Sequence, residues 1–141
     1  MKRLLIDLSA RRLTYYDEHG IANSYPIAIG KPSTPTPVGQ YQVINKIIHP
    51  GGGLGSRWME LNIPTDGGPY GIHGTNNPSS IGLAVSNGCI RMYNHDIEAI
   101  FPHIPLYTPV EIVASQWPGN LYNPTVNPNL LYPGQQLVIP E

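Results

Sequence analysis

A cysteine and a histidine, each beside a glycine, could supply a nucleophile and a base for attack on a carbonyl group. Cys89 is the single cysteine among 141 residues and follows Gly88, while His73 precedes Gly74. The thiolate is the nucleophilic form of cysteine, and a neighbouring imidazole can lower the pKa of the thiol or accept its proton. We therefore take Cys89 as a candidate nucleophile and His73 as its candidate general base.

Two neighbouring features would support this chemistry. The glycine before Cys89 lets backbone N–H groups come close to a developing oxyanion, and main-chain amides are common donors to such an oxygen. Arg91 lies two residues beyond the cysteine, so an extended chain places its guanidinium on the same face, where a cation favours the thiolate or holds a substrate carboxylate. The same spacing also fits a buried structural histidine and an inert core thiol, and it leaves both interpretations open.

The composition excludes several other functions. A formal net charge of −1 and a sequence pI near 6.5 provide no basic surface, so we expect no nucleic-acid partner. One cysteine cannot form a disulfide framework, a Cys-rich zinc site or a dithiol redox pair. We expect no metal and no cofactor, because the other histidines lack paired metal-ligand spacing: His19, His49, His95 and His103.

The elements that must position these residues are predicted to be mainly β. Charged residues make up only 12% of the chain, while 15 glycines and 16 prolines without a collagen period predict many short strands joined by turns. Lys31 to Gly39 should form an extended proline-rich loop. Pro109 in the closing strand suits only an edge or a bulge. The predicted strands cover residues 4–8, 13–18, 21–30, 41–49, 56–63, 70–74 and 106–113.

Helical patterns are scarce in this sequence. Residues 79–86 could form one or two turns after a serine N-cap. A stronger pattern covers residues 94–104, where Asn94 would be the N-cap, Asp96 suits the first turn and apolar residues recur at helical spacing. Pro102 limits this helix to about two turns. The sequence therefore predicts a mainly β fold with one or two short helices.

Three short motifs between residues 70 and 96 form one composite pattern: His73-Gly74-Thr75, Ser86 to Met92, and Asn94-His95-Asp96. The composite resembles the signature of the YkuD-type L,D-transpeptidases. The resemblance extends upstream through TPTPVGQYQV and IDLSARRLTYYDEHG, so it covers roughly residues 3–114. Many relatives have histidine before the Gly-Cys pair, where this chain has Asn87.

The resemblance implies an L,D-transpeptidase catalytic domain, a mainly β sandwich with one or two short helices, over residues 1–115. Residues 116–141 then form a Pro- and Asn-rich C-terminal appendage. Its VNPNLLYPGQQLVIP stretch resembles the last third of a LysM peptidoglycan-binding module, without the start that such a module needs. We expect a remnant strand, or a segment that covers a sheet edge or the cleft.

The reaction that the resemblance implies is acyl transfer in peptidoglycan. Cys89 would attack the bond between the third, diamino acid residue of a tetrapeptide stem and its terminal D-Ala, and would release D-Ala and form a thioester. An amine of a neighbouring stem would resolve the thioester as a 3→3 cross-link. His73 would act as base and then as acid, with its other nitrogen oriented by the Gly74 carbonyl. Water as the acceptor would make the enzyme an L,D-carboxypeptidase.

The resemblance also implies the other site residues and the partners. The N–H groups of Gly88 and Cys89 would form the oxyanion hole. Peptidoglycan stem peptides would be the partners of a monomeric enzyme. Two alternatives stay open, a wall-binding module with a decayed active site and a thiol hydrolase of another substrate. Five residues would line the substrate side: Tyr70, Gly71, Ser86, Asn87 and Arg91.

The place of the substrate raises the question of export. The apolar run near the start ends at Asp7, short of the roughly 7–15 residues of a signal-peptide core, and no run approaches the roughly 18 residues of a membrane span. We therefore see no export signal in this chain and expect no membrane insertion. Because peptidoglycan lies outside the cytoplasmic membrane, the expected location is the cell wall or the spore wall.

Overall fold

Residues 1–114 are the part of the chain that the computed structural model describes, and they contain nine strands and one short α-helix. The helix α1 spans Asn94–Ile100. The predicted mainly β fold is confirmed, and the predicted appendage at residues 116–141 lies outside the described residues. The strands are β1 (Arg3–Asp7), β2 (Arg12–Tyr16), β3 (Ala22–Gly30), β4 (Gly39–Ile48), β5 (Arg57–Leu61), β6 (Tyr70–His73), β7 (Ala84–Ser86), β8 (Ile90–Met92) and β9 (Pro109–Val113).

The nine strands form one sheet that closes on itself. The order of hydrogen-bonded neighbours is β2-β1-β9-β4-β5-β6-β8-β3-β7, and β2 also pairs with β3. Because β2 has both β1 and β3 as partners, the sheet curls into a barrel-like layer. The two faces of the predicted sandwich are thus parts of one continuous sheet.

Alternation along the strands explains the apolar interior. Leu4 and Ile6 in β1, and Leu13 and Tyr15 in β2, are buried, whereas the residues between them are partly exposed. Successive side chains of a strand point to opposite faces, so this period of two places one face in the core. Helix α1 packs Ile97 into the same core.

The N-cap residue of helix α1 lies one position earlier in the chain than the sequence predicted. Tyr93, not Asn94, is the N-cap, and its side chain makes no capping hydrogen bond. The amides of Asp96 and Ile97 donate to the Tyr93 carbonyl, which begins the helix. The helix gives way at Phe101 to a 3-10 turn that contains Pro102, so it has the predicted length of about two turns. No helix within residues 1–114 is long and apolar enough to cross a membrane.

Residues 79–86 do not form the predicted helical turns. They contain the end of a 3-10 turn, Pro78–Ser80, followed by strand β7. The Gly82 amide donates to the Ile27 carbonyl, and the Ile29 amide donates to the Leu83 carbonyl. Main-chain groups that a helix would pair locally are used by strand β3 instead.

Strand β9 lies between β1 and β4 and is not an edge strand, contrary to the expectation from Pro109. Pro109 is the first residue of this strand and stands opposite Gln42 of β4. The first position of a strand tolerates proline because the ladder can begin beyond the missing N–H.

Strands β5, β6 and β8 lie side by side and carry the predicted catalytic residues. In this register Trp58 of β5 is the antiparallel partner of His73 at the end of β6, and Arg91 of β8 is its parallel partner. Cys89 immediately precedes β8, so the same register places it beside Gly71. The sheet thus brings Cys89 and His73 to neighbouring strand positions.

Candidate active site

The His73 imidazole is buried and is held by its neighbours. The residue is 4% exposed, and its Nδ1 lies 2.5 Å from the carbonyl oxygen of Gly74. The Trp58 ring stacks on the imidazole with centroids 5.9 Å apart and an interplanar angle of 25°. Because a carbonyl can only accept, Nδ1 carries the hydrogen in the neutral ring, and Nε2 is the atom that can take a proton.

Burial lowers the pKa of His73 below its ordinary value of 6.5, since the charged ring loses solvation. The positive charge of Arg91 lowers this pKa further. The carbonyls of Gly74 and Leu54 favour the charged ring and oppose the shift, but desolvation is the larger effect. His73 is therefore neutral at neutral pH, which is the state that a general base requires.

The Cys89 thiol is partly buried, and burial raises its pKa. The Gly71 amide and the Arg91 charge lower the pKa of the thiol, but their combined effect is smaller than that of burial. The sulfur lies 4.0 Å from the carbonyl oxygen of Pro69. Cys89 is thus a neutral thiol in the resting site and needs a base as it attacks.

Ser86 supports the nucleophile loop, residues 87–89 between β7 and β8, from inside. It is 3% exposed, and its Oγ donates to the Cys89 carbonyl at 2.6 Å and accepts from the Gly88 amide at 3.0 Å. Two predictions change as a result. Ser86 is used within the loop and does not line the substrate side, and the Gly88 N–H is not available to an oxyanion. The Cys89 N–H remains as the predicted main-chain donor.

Two glycines beside the catalytic residues make room for side chains rather than for substrate. Gly88 has φ +126°, and a Cβ there would lie 2.7 Å from the Tyr70 ring. A Cβ on Gly74 would overlap Oδ1 of Asn94. Close packing therefore accounts for both glycines, including Gly88, which the sequence had suggested as a point of close approach to a developing oxyanion.

Asn94 joins three segments around the base. Its Oδ1 accepts from the amides of Ser56 at 3.1 Å and Thr75 at 3.0 Å, and its Nδ2 donates to the Thr75 carbonyl at 3.1 Å. These bonds fix the chain immediately after Gly74, whose carbonyl orients His73. Sequence reasoning took Asn94 for a helix cap and missed this role.

The proline-rich loop between β3 and β4 holds the nucleophile loop. Thr36 is 4% exposed, and its Oγ1 donates to the Gly88 carbonyl at 2.8 Å and accepts from the Gly30 amide at 3.0 Å. Oγ1 of Thr34 donates to the Ser86 carbonyl at 2.9 Å. Each threonine binds a residue 52 positions further along the chain, so no local pattern in the sequence could have identified the contact.

Two clefts share Cys89 and Pro69 in their walls. The larger has a volume of about 810 Å³, and its wall includes Tyr70 and Asn87, two of the residues predicted to bind substrate. The smaller has a volume of about 410 Å³ and includes Trp58. The candidate nucleophile therefore borders two clefts.

Gly71 and Arg91 act on the site in a different way from the other predicted substrate residues. Within the described part of the chain, neither residue belongs to the wall of either cleft. Both lower the pKa of the Cys89 thiol, through an amide contact and through a positive charge. Gly71 also packs beneath the Trp58 ring, because a Cβ there would lie 2.8 Å from a ring carbon.

A family model and a sequence relative match this chain. The YkuD model, described as the L,D-transpeptidase catalytic domain, matches residues 1–112. The L,D-transpeptidase named YkuD from Bacillus licheniformis is 44% identical to this chain over 110 residues. The match covers 78% of this chain and 64% of that relative, so the chain spans less than two thirds of the relative's length.

Solved structures share the fold. The NMR structure of the catalytic domain from the Enterococcus faecium L,D-transpeptidase is 27% identical with a TM-score of 0.65, and the match covers 80% of this chain and 97% of that domain. The structure of the Ldtfm-avibactam carbamoyl enzyme is 26% identical with a TM-score of 0.69, over 82% of this chain and 49% of that one. Since the family model spans nearly all of the described residues and the fold agrees, the chain belongs to the YkuD family of L,D-transpeptidase catalytic domains.

Proposed function

We propose that this chain is a cysteine-dependent L,D-transpeptidase that forms 3→3 cross-links between peptidoglycan stem peptides. The observation that carries the proposal is the pairing of Cys89, where two clefts meet, with a buried neutral His73 whose Nδ1 is held by the Gly74 carbonyl. Two clefts that open on one thiol suit a reaction with two peptide substrates. Membership of the family supports the same reaction.

In the first half-reaction the sulfur of Cys89 attacks the carbonyl carbon of the third residue of a tetrapeptide stem. Nε2 of His73 takes the thiol proton as the carbon–sulfur bond forms. It then passes this proton to the nitrogen of the departing D-Ala as the amide bond breaks. The negative charge that develops on the carbonyl oxygen needs a main-chain donor, and the Cys89 N–H is the candidate. The products are a thioester and free D-Ala.

In the second half-reaction an uncharged amine on the third residue of a neighbouring stem attacks the thioester carbon. His73 takes a proton from the attacking nitrogen and returns it to the sulfur, which restores the Cys89 thiol as the new amide forms. Water in place of the amine would give a carboxylic acid and an L,D-carboxypeptidase. The two outcomes share the first half-reaction and differ only in the acceptor.

Intact-protein mass spectrometry with a tetrapeptide stem tests the proposal. We expect a thioester adduct on the wild type, released D-Ala, and cross-linked dimers linked 3→3 after a second stem is added. A carbapenem should form an adduct on the same residue. The Cys89→Ala variant should give neither adduct nor D-Ala, while it keeps the circular dichroism spectrum of the wild type.

The same experiment separates the alternatives. Release of D-Ala without dimers would identify a carboxypeptidase. Binding of peptidoglycan sacculi by a wild type that forms no adduct with stem or carbapenem would overturn the enzyme proposal in favour of a wall-binding module.

We also propose the cell wall or the spore wall as the place of action, and a monomer as the active form. The location follows from the substrate, because stem peptides are linked outside the cytoplasmic membrane. Fractionation of vegetative cells and spores tests it, since recovery of the protein only from vegetative cytosol would contradict it. Sedimentation of the purified protein tests the monomer.

A further inference from the structure

The smaller cleft borders the nucleophile and a residue that contacts the base. Trp58 belongs to its wall and stacks on the His73 imidazole. Leu54 belongs to the same wall, and its carbonyl favours the charged form of the His73 ring. An amine that enters this cleft therefore reaches the Trp58 ring that packs on the imidazole.

The larger cleft has a different relation to the base. The described residues in its wall include neither Trp58 nor Gly74, which contact the His73 ring. An acceptor in this cleft would approach the thioester without passing the Trp58 ring that stacks on the imidazole. The larger cleft therefore suits the donor stem, and the smaller cleft suits the acceptor.

Glu60 gives the smaller cleft its charge. It lies two residues after Trp58 on strand β5, so both side chains share one face, and both belong to the cleft wall. The rest of the wall in the described chain carries no formal charge. Within residues 1–114, no hydrogen bond or ion pair engages the Glu60 carboxylate.

A carboxylate without a partner in the wall of a cleft is complementary to a cation of matching position. A charge-assisted hydrogen bond between ammonium and carboxylate is stronger than a neutral one. The acceptor of a 3→3 cross-link carries such a group, because its reactive amine is protonated in most molecules at neutral pH.

We propose that Glu60 is the residue that selects the acceptor stem, by binding the ammonium group of its third residue in the smaller cleft. The inference rests on the proposed function and adds a specificity residue to it. The bound ammonium loses one proton to water through the open cleft, and the resulting amine then attacks the Cys89 thioester as described above. Glu60 binds the acceptor and does not take part in the transfer of the acyl group.

The test compares Glu60→Gln with Glu98→Gln in the full chain. Both variants replace a carboxylate by an amide, but Glu98 is exposed on α1 and lines neither cleft. A tetrapeptide donor is mixed with increasing concentrations of an acceptor stem that bears the free amine. The readouts are D-Ala release for the first half-reaction and the ratio of dimer to hydrolysed stem for the second.

We expect Glu60→Gln to raise the acceptor concentration for half-maximal transfer about tenfold, which corresponds to the loss of one charge-assisted hydrogen bond. The effect should be confined to the second half-reaction, so the initial rate of D-Ala release changes less than about twofold. Hydroxylamine, which is largely uncharged at neutral pH, should cleave the thioester equally well in the wild type and in Glu60→Gln. Glu98→Gln should behave as the wild type.

Two kinds of failure can be told apart. If the wild type forms no thioester and releases no D-Ala, the proposed function fails and the inference fails with it. If the thioester forms but Glu60→Gln leaves the acceptor dependence unchanged, or slows D-Ala release as much as transfer, only the role of Glu60 is overturned. An equal effect of Glu98→Gln would also overturn it, because the loss would then reflect net charge alone.

Discussion

The neutral states of His73 and Cys89 determine how the thiol must be activated. Burial lowers the pKa of the imidazole and raises the pKa of the thiol, so it favours the uncharged form of both groups. An imidazolium–thiolate pair is therefore not the resting state. The proton has to move from sulfur to Nε2 as the sulfur attacks, which makes the orientation of the ring by Gly74 important for the rate.

This resting state predicts the pH dependence of adduct formation. Protonated His73 cannot accept the thiol proton, and its pKa lies below 6.5, so the rate with a carbapenem should fall only as the pH decreases below that value. Stopped-flow measurements across the acid and neutral range check this expectation. A rate that rises about tenfold per pH unit through neutral pH would instead indicate attack by a free thiolate.

The same histidine should make the fold sensitive to acid. Its pKa is lower in the folded chain than the ordinary value of 6.5, so the unfolded chain binds the proton more readily. The free energy of unfolding should have its full value above the pKa that His73 has in the unfolded chain. It should decrease as the pH falls from there towards the lower pKa that His73 has in the folded chain. Urea denaturation at several pH values measures this decrease.

A pair of variants assigns the acid sensitivity to its source. His73→Gln should remove part of the dependence on pH, because glutamine does not titrate. His19→Gln is the control, since His19 is exposed in a turn between β2 and β3. If the two variants kept the same slope of stability against pH as the wild type, the acid sensitivity would not come from His73.

At the scale of elements, buried polar side chains connect segments that are distant in sequence. Thr36 ties the proline-rich loop to the nucleophile loop, and Asn94 ties the start of α1 to the chain after β6. Each side chain satisfies several main-chain groups at once. Loops of this kind stay fixed because an unsatisfied buried main-chain group is costly.

The Thr36 contact leads to a prediction for two substitutions. Thr36→Val keeps the shape of the side chain but leaves the Gly88 carbonyl and the Gly30 amide without this partner, so it should lower the free energy of unfolding by about 1–3 kcal/mol. It should also slow adduct formation, because the Gly88 carbonyl precedes the nucleophile. Thermal melts and the rate of carbapenem adduct formation are the measurements.

Thr36→Ser is the rescue variant, since serine keeps the hydroxyl. It should recover the rate of adduct formation and most of the stability. If Thr36→Val formed the adduct as fast as the wild type, the loop would not position Cys89. If Thr36→Ser were as slow as Thr36→Val, the methyl group rather than the hydroxyl would carry the effect.

These contacts also show what the sequence could and could not predict. Seven of the nine described strands, the turns and the length of α1 follow from local periodicity and from Pro102, whereas β7 and β8 were not predicted; the composite motif singles out Cys89 and His73. The stacking of Trp58 on His73 and the partner of Thr36 depend on which strands and loops become neighbours. Strand order is not encoded in any local window, so such contacts appear only in the folded sheet.

The same reason explains the errors at Ser86 and Asn94. Both residues belong to a motif, and a motif does not say whether a side chain faces the substrate or the interior. The hydroxyl of Ser86 turns inward to its own loop, and the amide of Asn94 turns to the Ser56 and Thr75 amides.

At the scale of the whole molecule, the closed sheet should unfold as one unit. Leu13 of β2 is fully buried where β2 joins β1 to β3, so Leu13→Ala should lower the free energy of unfolding by about 2–5 kcal/mol. Leu83→Ala is the control, because Leu83 is 49% exposed. Far-UV circular dichroism and tryptophan fluorescence should report a single coincident transition. Separate transitions would show that the pairing of β2 with β1 and β3 opens independently of the rest of the sheet.

The predicted domain boundary after residue 115 and the LysM-like remnant in residues 116–141 remain predictions. The chain spans 64% of the length of its Bacillus licheniformis relative. A variant truncated after residue 115 that keeps the melting temperature and the adduct of the full chain would support the boundary. A loss of either would show that the appendage contributes to the catalytic domain.

The parallel pairing of β1 with β9 has a consequence for the nascent chain. Leu4 pairs with Val110, so β1 cannot form this pairing until β9, the last described strand, has been synthesised. Closure of such a long loop has an entropic cost that is offset only when the contacts between the two strands form. Contacts between residues so distant in sequence slow folding. During synthesis β1 should therefore lack β9 until β9 has emerged, with one edge open to other chains, and chaperone binding should be strongest before residue 113 leaves the ribosome.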